Sequence, residues 1–255
     1  MSSVTSKVAL ISGASRGLGR SMALHLAARG VDIIGTYQSN RDAADALVSD
    51  VAALGRRVVM LPLDVSRIDG FASFARAVHD ALHATFERTS FDYLVNNAGA
   101  GAYALAAETT EEQFDAMIAV HLKAPFFLTQ RLLPYIADGG RILNVSTGLT
   151  RFTTPGYAAY AAAKGGVEVL TRYFAREMGE RRITANTIAP GAIETDFGGG
   201  VVRDNADVNT YIAHTIPLGR VGLPDDVGAA VASILSDDMR WMNGVRVEVS
   251  GGQNL

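Results

Sequence analysis

The chain of 255 residues has no cysteine, which excludes disulfides, thiolate metal sites and cysteine nucleophiles together. Lysine is nearly as scarce, present only as Lys7, Lys123 and Lys164, and the formal net charge is -3. That balance offers no basic face for nucleic acid or for an anionic membrane. No apolar run reaches the length of a membrane span. The opening passes from Ser and Thr into Val8-Ala9-Leu10-Ile11, too short for a signal-peptide core, so a cytoplasmic location is expected. The five histidines are read as scattered, and no metal site is expected. What the chain has is apolar mass: 48% hydrophobic against 19% charged residues, enough for a substantial core. Its 26 glycines are dispersed among apolar segments, as tight turns and close backbone approaches require.

Short apolar runs alternate with helical patterns along the chain. Strands are expected at 8–12, 31–37, 57–63, 93–96, 141–145, 184–188 and 245–249. Helices are expected at 18–29, 43–54, 68–86, from Thr110 toward 136, at 155–178 and from Pro224 onward. Thr110 and Gln113 form a capping-box signature, Gly55 sits where a helix stops, and Pro125 and Pro134 bend or divide the long central helix. Strands without polar alternation are covered on both faces. The expectation is a single α/β domain over 1–255: a Rossmann-type, doubly wound parallel sheet with helices on both faces. The stretch 191–222, with Gly198-Gly199-Gly200 inside it, is irregular and is expected to be a lid over the ligand crevice.

Two motifs carry chemistry. Ser12-Gly13-Ala14-Ser15-Arg16-Gly17-Leu18-Gly19 joins the first strand to the first helix. Gly13, Gly17 and Gly19 allow close backbone approach, and the helix N-terminus favours a pyrophosphate. An NAD site usually places a carboxylate at the end of the second strand, but here the stretch is Thr36-Tyr37-Gln38-Ser39-Asn40-Arg41. With Arg16 as the main anchor and Ser39, Asn40 or Arg41 helping, a 2′-phosphate is the better match, so NADP(H) is expected over NAD(H). The second motif is Tyr160 with Lys164, four residues on and on the same helix face. A phenol beside an ammonium can pass a proton to or from a carbonyl or alcohol oxygen.

Together these residues resemble the short-chain dehydrogenase/reductase family over nearly the whole chain. Ser12 to Gly19 is similar to its glycine loop, with Ser12 for the usual Thr. Asp64-Val65 resembles the segment that meets adenine, and Asn96-Asn97-Ala98-Gly99 the segment ending the fourth strand. Pro190-Gly191, Ile193 and Thr195 resemble the stretch at the nicotinamide end. The resemblance implies a homotetramer that moves hydride between a nicotinamide and a ketone or secondary alcohol. In it Tyr160 is general acid/base, and Lys164 holds the ribose and lowers the Tyr160 pKa. Its pattern is closest to β-ketoacyl-ACP reductases, so the expected partner is a small-molecule or acyl-thioester carbonyl substrate. An acyl carrier would need a basic patch, for which Arg20, Arg151, Arg172 and Arg203 are available. Gly101, Tyr103, Tyr157, Phe197 and Tyr211 occupy pocket or lid positions, or are ordinary packing.

Two positions depart from the family pattern. Thirteen residues before the Tyr, where Ser is usual, stands Thr147, with Ser146 as the neighbouring alternative for the substrate-orienting hydroxyl. Where Asn is usual stands His121, either a water or proton relay or a packed histidine. The alternative function is a nucleotide-binding sensor or regulatory subunit without turnover.

Overall fold

The computed structural model describes residues 6–255. Seven parallel strands form one sheet in the order β3-β2-β1-β4-β5-β6-β7. They are β1 Val8–Ile11, β2 Asp32–Tyr37, β3 Val58–Pro62, β4 Phe91–Asn96, β5 Ile136–Val145, β6 Thr184–Pro190 and β7 Arg246–Val249. The helices are α1 Gly17–Ala28, α2 Arg41–Ala53, α3 Phe71–Phe86, α4 Glu111–Ile118, α5 Ala124–Leu132, α6 Ala158–Glu177, α7 Val201–Asp204, α8 Ala206–Ala213 and α9 Pro224–Ile234. The order reverses between β1 and β4, so the two strand exits that flank the reversal open a crevice there.

Alternation along each strand feeds two cores. Val8 and Leu10 of β1 pack into one with α3, α5 and the end of α6, through Phe71, Phe86, Leu128 and Phe174. Ala9 and Ile11 pack into the other with α1, α2 and α9, through Met22, Leu26, Leu47 and Val231. This is the period-two geometry of a sheet covered on both faces. A Cβ on Gly228 of α9 would lie 2.3 Å from Ser21 Oγ of α1, so this glycine sets how closely the two helices cross.

Local signals act as expected at several boundaries. Gly55 has φ +71° just past α2, and the Arg56 amide donates to the Val51 carbonyl, a Schellman closure. Thr110 and Gln113 make both hydrogen bonds of the capping box. The long central helix is where expectation and structure differ. It divides into α4, a π-helical segment at Ala119–Lys123 and α5, and a 3-10 turn at Leu133–Tyr135 ends it. The wide turn lies immediately before Pro125, whose missing N–H cannot bond back to the preceding turn. Strand β5 then starts at Ile136, earlier than expected, with a register shift opposite Phe91 and Tyr93. The stretch 191–222 is also less irregular than expected, since it holds α7 and α8 and is closed at its neck by pairing of Ile193 with Gly222.

Candidate functional site

The glycine loop leaves β1 and enters α1 under β4. Gly13 and Gly17 have φ of +67° and +54°. A Cβ on Gly19 would sit 2.1 Å from the Gly13 carbonyl oxygen, so a side chain there would open the loop. Ser15 is buried in the loop, and Leu18 packs into the core beneath it. Ser12 Oγ accepts from the Asn97 and Ala98 amides, each at 3.0 Å, while Asn97 Nδ2 donates to the Ser12 and Gly13 carbonyls at 2.9 and 3.1 Å. Asn97 thus staples the loop to the exit of β4, a role that reading from motif positions missed. The Asn96 side chain is buried, and its Nδ2 donates to Thr129 Oγ1 and Asn144 Oδ1 at 3.0 and 2.8 Å, so it holds β4 to α5 and β5, while the residue also lines a small cavity with Ser12, Val65 and Ala98.

Arg16 stands exposed at the N-cap of α1, with Nη1 3.9 Å from an Asp196 carboxylate oxygen. No carboxylate ends β2. Of the expected helpers, Asn40 accepts from the Ala43 amide at 2.9 Å and so caps α2. Arg41 lies 3.8 Å from Asp45, one turn on, and Ser39 is exposed beside them. Asp64 turns onto its own loop, accepting from the Ser66 amide and hydroxyl, and the Ser66 hydroxyl bond leads in holding its carboxyl below the usual range. Val65 is partly buried against the core. On the other side of the crevice, Thr195 lies over Gly17, 3.7 Å from the position of a Cβ there. Pro190 ends β6, Gly191 donates to the Val249 carbonyl, and Ile193 begins the neck of the 191–222 stretch.

Helix α6 brings Tyr160 and Lys164 to the crevice, both buried. Thr147 Oγ1 accepts from the Leu149 amide at 3.3 Å and lies near enough to the Tyr160 phenol to act on its pKa. Ser146 turns away, and its hydroxyl donates to Glu168 Oε1 at 2.6 Å. Glu168 also accepts from Thr150 Oγ1 at 2.7 Å and Arg246 Nε at 2.9 Å, so the alternative hydroxyl belongs to a structural cluster. Burial raises the Tyr160 pKa well above the ordinary phenol value, Thr147 opposes that, and Tyr157 adds to it. Burial therefore outweighs any lowering by the Lys164 charge. Lys164 Nζ donates to the Val145 carbonyl at 2.6 Å, and its own pKa is depressed by burial to about 7.

His121, on the π-helical segment, packs edge-on against Tyr160 with ring centroids 4.9 Å apart. Its Nε2 lies 2.6 Å from the Ala100 carbonyl. A carbonyl only accepts, so Nε2 carries the proton and Nδ1 is left as an acceptor, buried without a protein partner among the described residues. Burial, then the Lys164 charge, lower its pKa to about 3. Gly99 makes room for the ring: a Cβ there would be 2.9 Å from His121 Cε1. A relay in which His121 itself gains and loses the proton near neutrality is therefore not supported. Aromatic rings wall the mouth of the site. Phe197 lies 5.5 Å from Tyr160, Tyr157 lies 6.5 Å from it, and Tyr103 packs 5.7 Å from Tyr157. Gly101 adjoins Phe197, whereas Tyr211 on α8 is largely exposed.

A family model described as enoyl-(acyl carrier protein) reductase matches residues 13–254. A short-chain dehydrogenase/reductase from Serratia marcescens BCRC 10948 superposes with a TM-score of 0.89 at 28% identity, over 98% of each chain. This chain belongs to the short-chain dehydrogenase/reductase family. It is an oxidoreductase by that membership. Tetrahydroxynaphthalene reductase PfmaG of Pestalotiopsis fici is 36% identical over 258 residues, covering 96% of this chain and 91% of that protein. The promiscuous reductase LugOII, which catalyses keto-reduction at C1 in lugdunomycin biosynthesis, superposes with a TM-score of 0.93 at 36% identity over 100% of both chains. The angucycline C-6 ketoreductase LanV, solved with bound NADP, gives 0.92 at 35% identity over 97% of this chain and 95% of that one.

Proposed function

We propose that this reductase uses NADPH to reduce a ring ketone of a planar, fused aromatic or polyketide-type molecule. The observation that carries the reading is the placing of the Tyr160 phenol, beside Thr147, inside a cleft walled by Tyr157, Phe197 and Tyr103. Flat rings stack or meet edge-on with such walls. The named substrates of the similar reductases, hydroxynaphthalenes and angucyclines, are of that shape. An acyl-carrier substrate is disfavoured by the arginines meant to dock it. Arg20 pairs with Asp50, Arg151 with Glu248, and Arg203 with Asp196 and Asp204, so these three are already neutralised.

The glycine cradle and the Arg16 position fit NADP(H). Gly13, Gly17 and Gly19 would receive the pyrophosphate, Arg16 and Arg41 the 2′-phosphate, and Thr195 the nicotinamide end. When bound, the cofactor supplies the hydride. Tyr160 keeps its proton at neutral pH and gives it to the oxygen of the carbonyl being reduced. Thr147 Oγ1 bonds the same oxygen and orients it. Lys164, which donates to the Val145 carbonyl here, would hold the ribose and carries positive charge below about pH 7. His121 serves as a neutral acceptor for a water at Nδ1. The 191–222 stretch closes over the cleft, turning at Gly198, Gly199 and Gly200, all at positive φ, and bringing Phe197 onto the substrate. Assembly as a homotetramer belongs to the same reading and agrees with the apolar side chains left exposed, Phe126, Val169, Tyr173 and Trp241.

The test is NADPH oxidation with bicyclic and tricyclic aromatic ketones beside β-ketoacyl thioesters, with Tyr160→Phe as control. Turnover of the fused ketones that collapses in the control is expected. Preference for the thioesters overturns the substrate class, and NADPH binding without turnover of either class returns the chain to the sensor reading.

A further inference from the structure

Helix α3 carries two histidines four residues apart, His79 and His83, a spacing passed over when the histidines are read as scattered. Their Nε2 atoms lie 3.2 Å apart and their ring centroids 4.5 Å apart. We propose that His79 and His83 form a surface chelate for a borderline divalent transition cation such as Zn2+.

The geometry fits the chemistry. Imidazole nitrogens bind Zn2+ at about 2.0–2.1 Å, and two of them 3.2 Å apart subtend about 100° at a shared ion, close to tetrahedral. The tautomer is also set. His79 Nδ1 lies 3.3 Å from Asp80 Oδ1, and a carboxylate only accepts, so Nδ1 carries the proton and Nε2 presents its lone pair. A carboxylate behind a ligating histidine raises its basicity and fixes its ring. Tyr135 packs 5.7 Å from the His79 ring and steadies it further. His83 is in the last turn of α3, where the helix dipole favours a cation. Both rings are accessible, so solvent can complete the coordination shell.

The location separates this site from the reaction. Helix α3 follows β3 and returns to the start of β4, so its C-terminal end lies at the rim of the sheet opposite the strand exits that carry Thr147 and the glycine loop. The bound ion therefore stabilises the fold and takes no part in hydride transfer.

Calorimetric titration of the full chain with Zn2+ tests this without reference to the substrate. One ion per chain is expected for wild type, with a raised melting temperature, loss of that site in His83→Gln and in His79→Gln, and about tenfold weaker binding in Asp80→Asn. His25→Gln, which changes a histidine on α1, should leave the isotherm unchanged. Absence of binding in wild type, or an isotherm that both histidine variants retain, overturns the proposal.

Discussion

Replacing His121 with asparagine is expected to remove an acid-sensitive part of the stability. The unfolded chain takes up a proton on this histidine near the ordinary value of 6.5, whereas the folded chain holds its pKa down at about 3. The unfolded state therefore binds more protons between those values, and stability falls as pH drops from 6.5 toward 3. At pH 5 the unfolded imidazole is almost fully protonated and the folded one almost bare, a difference of about 2 kcal/mol relative to pH 7. The figure is insensitive to the exact folded value, because any pKa below about 4 leaves the folded ring neutral at pH 5. His121→Asn loses the Ala100 hydrogen bond and some packing against Tyr160, so the variant starts less stable at pH 7. The gap should then narrow by about 2 kcal/mol on going to pH 5, since the two proteins differ only at this position. Urea unfolding followed by circular dichroism at the two pH values measures it. A gap that stays constant would show that the folded chain does not exclude the proton, and the neutral-acceptor role would fall with it.

Asp32 is fully buried and receives Arg57 through its amide and guanidinium and Arg56 at 3.5 Å; Asp32→Ala should cost about 3 kcal/mol in urea unfolding, the low end for a broken buried pair because both arginines reach water. Thr147→Val should lower kcat about a hundredfold with little change in cofactor affinity, whereas Ser146→Ala should cost about 1 kcal/mol of stability and leave kcat within a few-fold; the reverse pattern in steady-state kinetics would transfer the orienting role to Ser146. Gly19→Ala should weaken NADPH binding at least about tenfold in a fluorescence titration while the chain stays folded, because the new methyl displaces the Gly13 carbonyl. Ketone reduction should hold at acid and neutral pH and alcohol oxidation should rise only in alkali, since the raised Tyr160 pKa keeps the phenol protonated; equal pH profiles in the two directions would contradict that assignment.

Much of the fold was legible because its signals are local. Short apolar strands, a glycine past the end of α2 and a Thr–Gln pair before α4 each act within one turn of their own position. The division of the central helix was less legible. Pro125 marked a disturbance, but whether it bends, splits or widens a helix depends on the groups that pack beside it, here His121 against Tyr160. The two helices within 191–222 were hidden for a related reason. Three consecutive glycines read as a coil, yet they occupy only the turn before Val201, and Asn205 caps α8 just beyond.

At the site, spacing found the residues but did not say which way they face. Asn96 and Asn97, like Ser146 and Thr147, are neighbours at strand exits, and neighbours on a strand point to opposite sides. In β4 Leu94 enters the core on the α6 side and Val95 the core on the α1 side, so Asn96 shares the direction of Leu94. In β5 Ile142 and Leu143 divide in the same way, which assigns Asn144 and Ser146 to the α6 side. Asn96 stands opposite Asn144 in the register and bonds to it, and Ser146, two residues on, meets Glu168 of α6. Asn97 and Thr147 have the other parity and are left for the glycine loop and the Tyr160 phenol. That parity could have been counted along each strand from its apolar residues. The count needs to know which face α6 covers, which follows from the right-handed crossover between β5 and β6 and not from any motif.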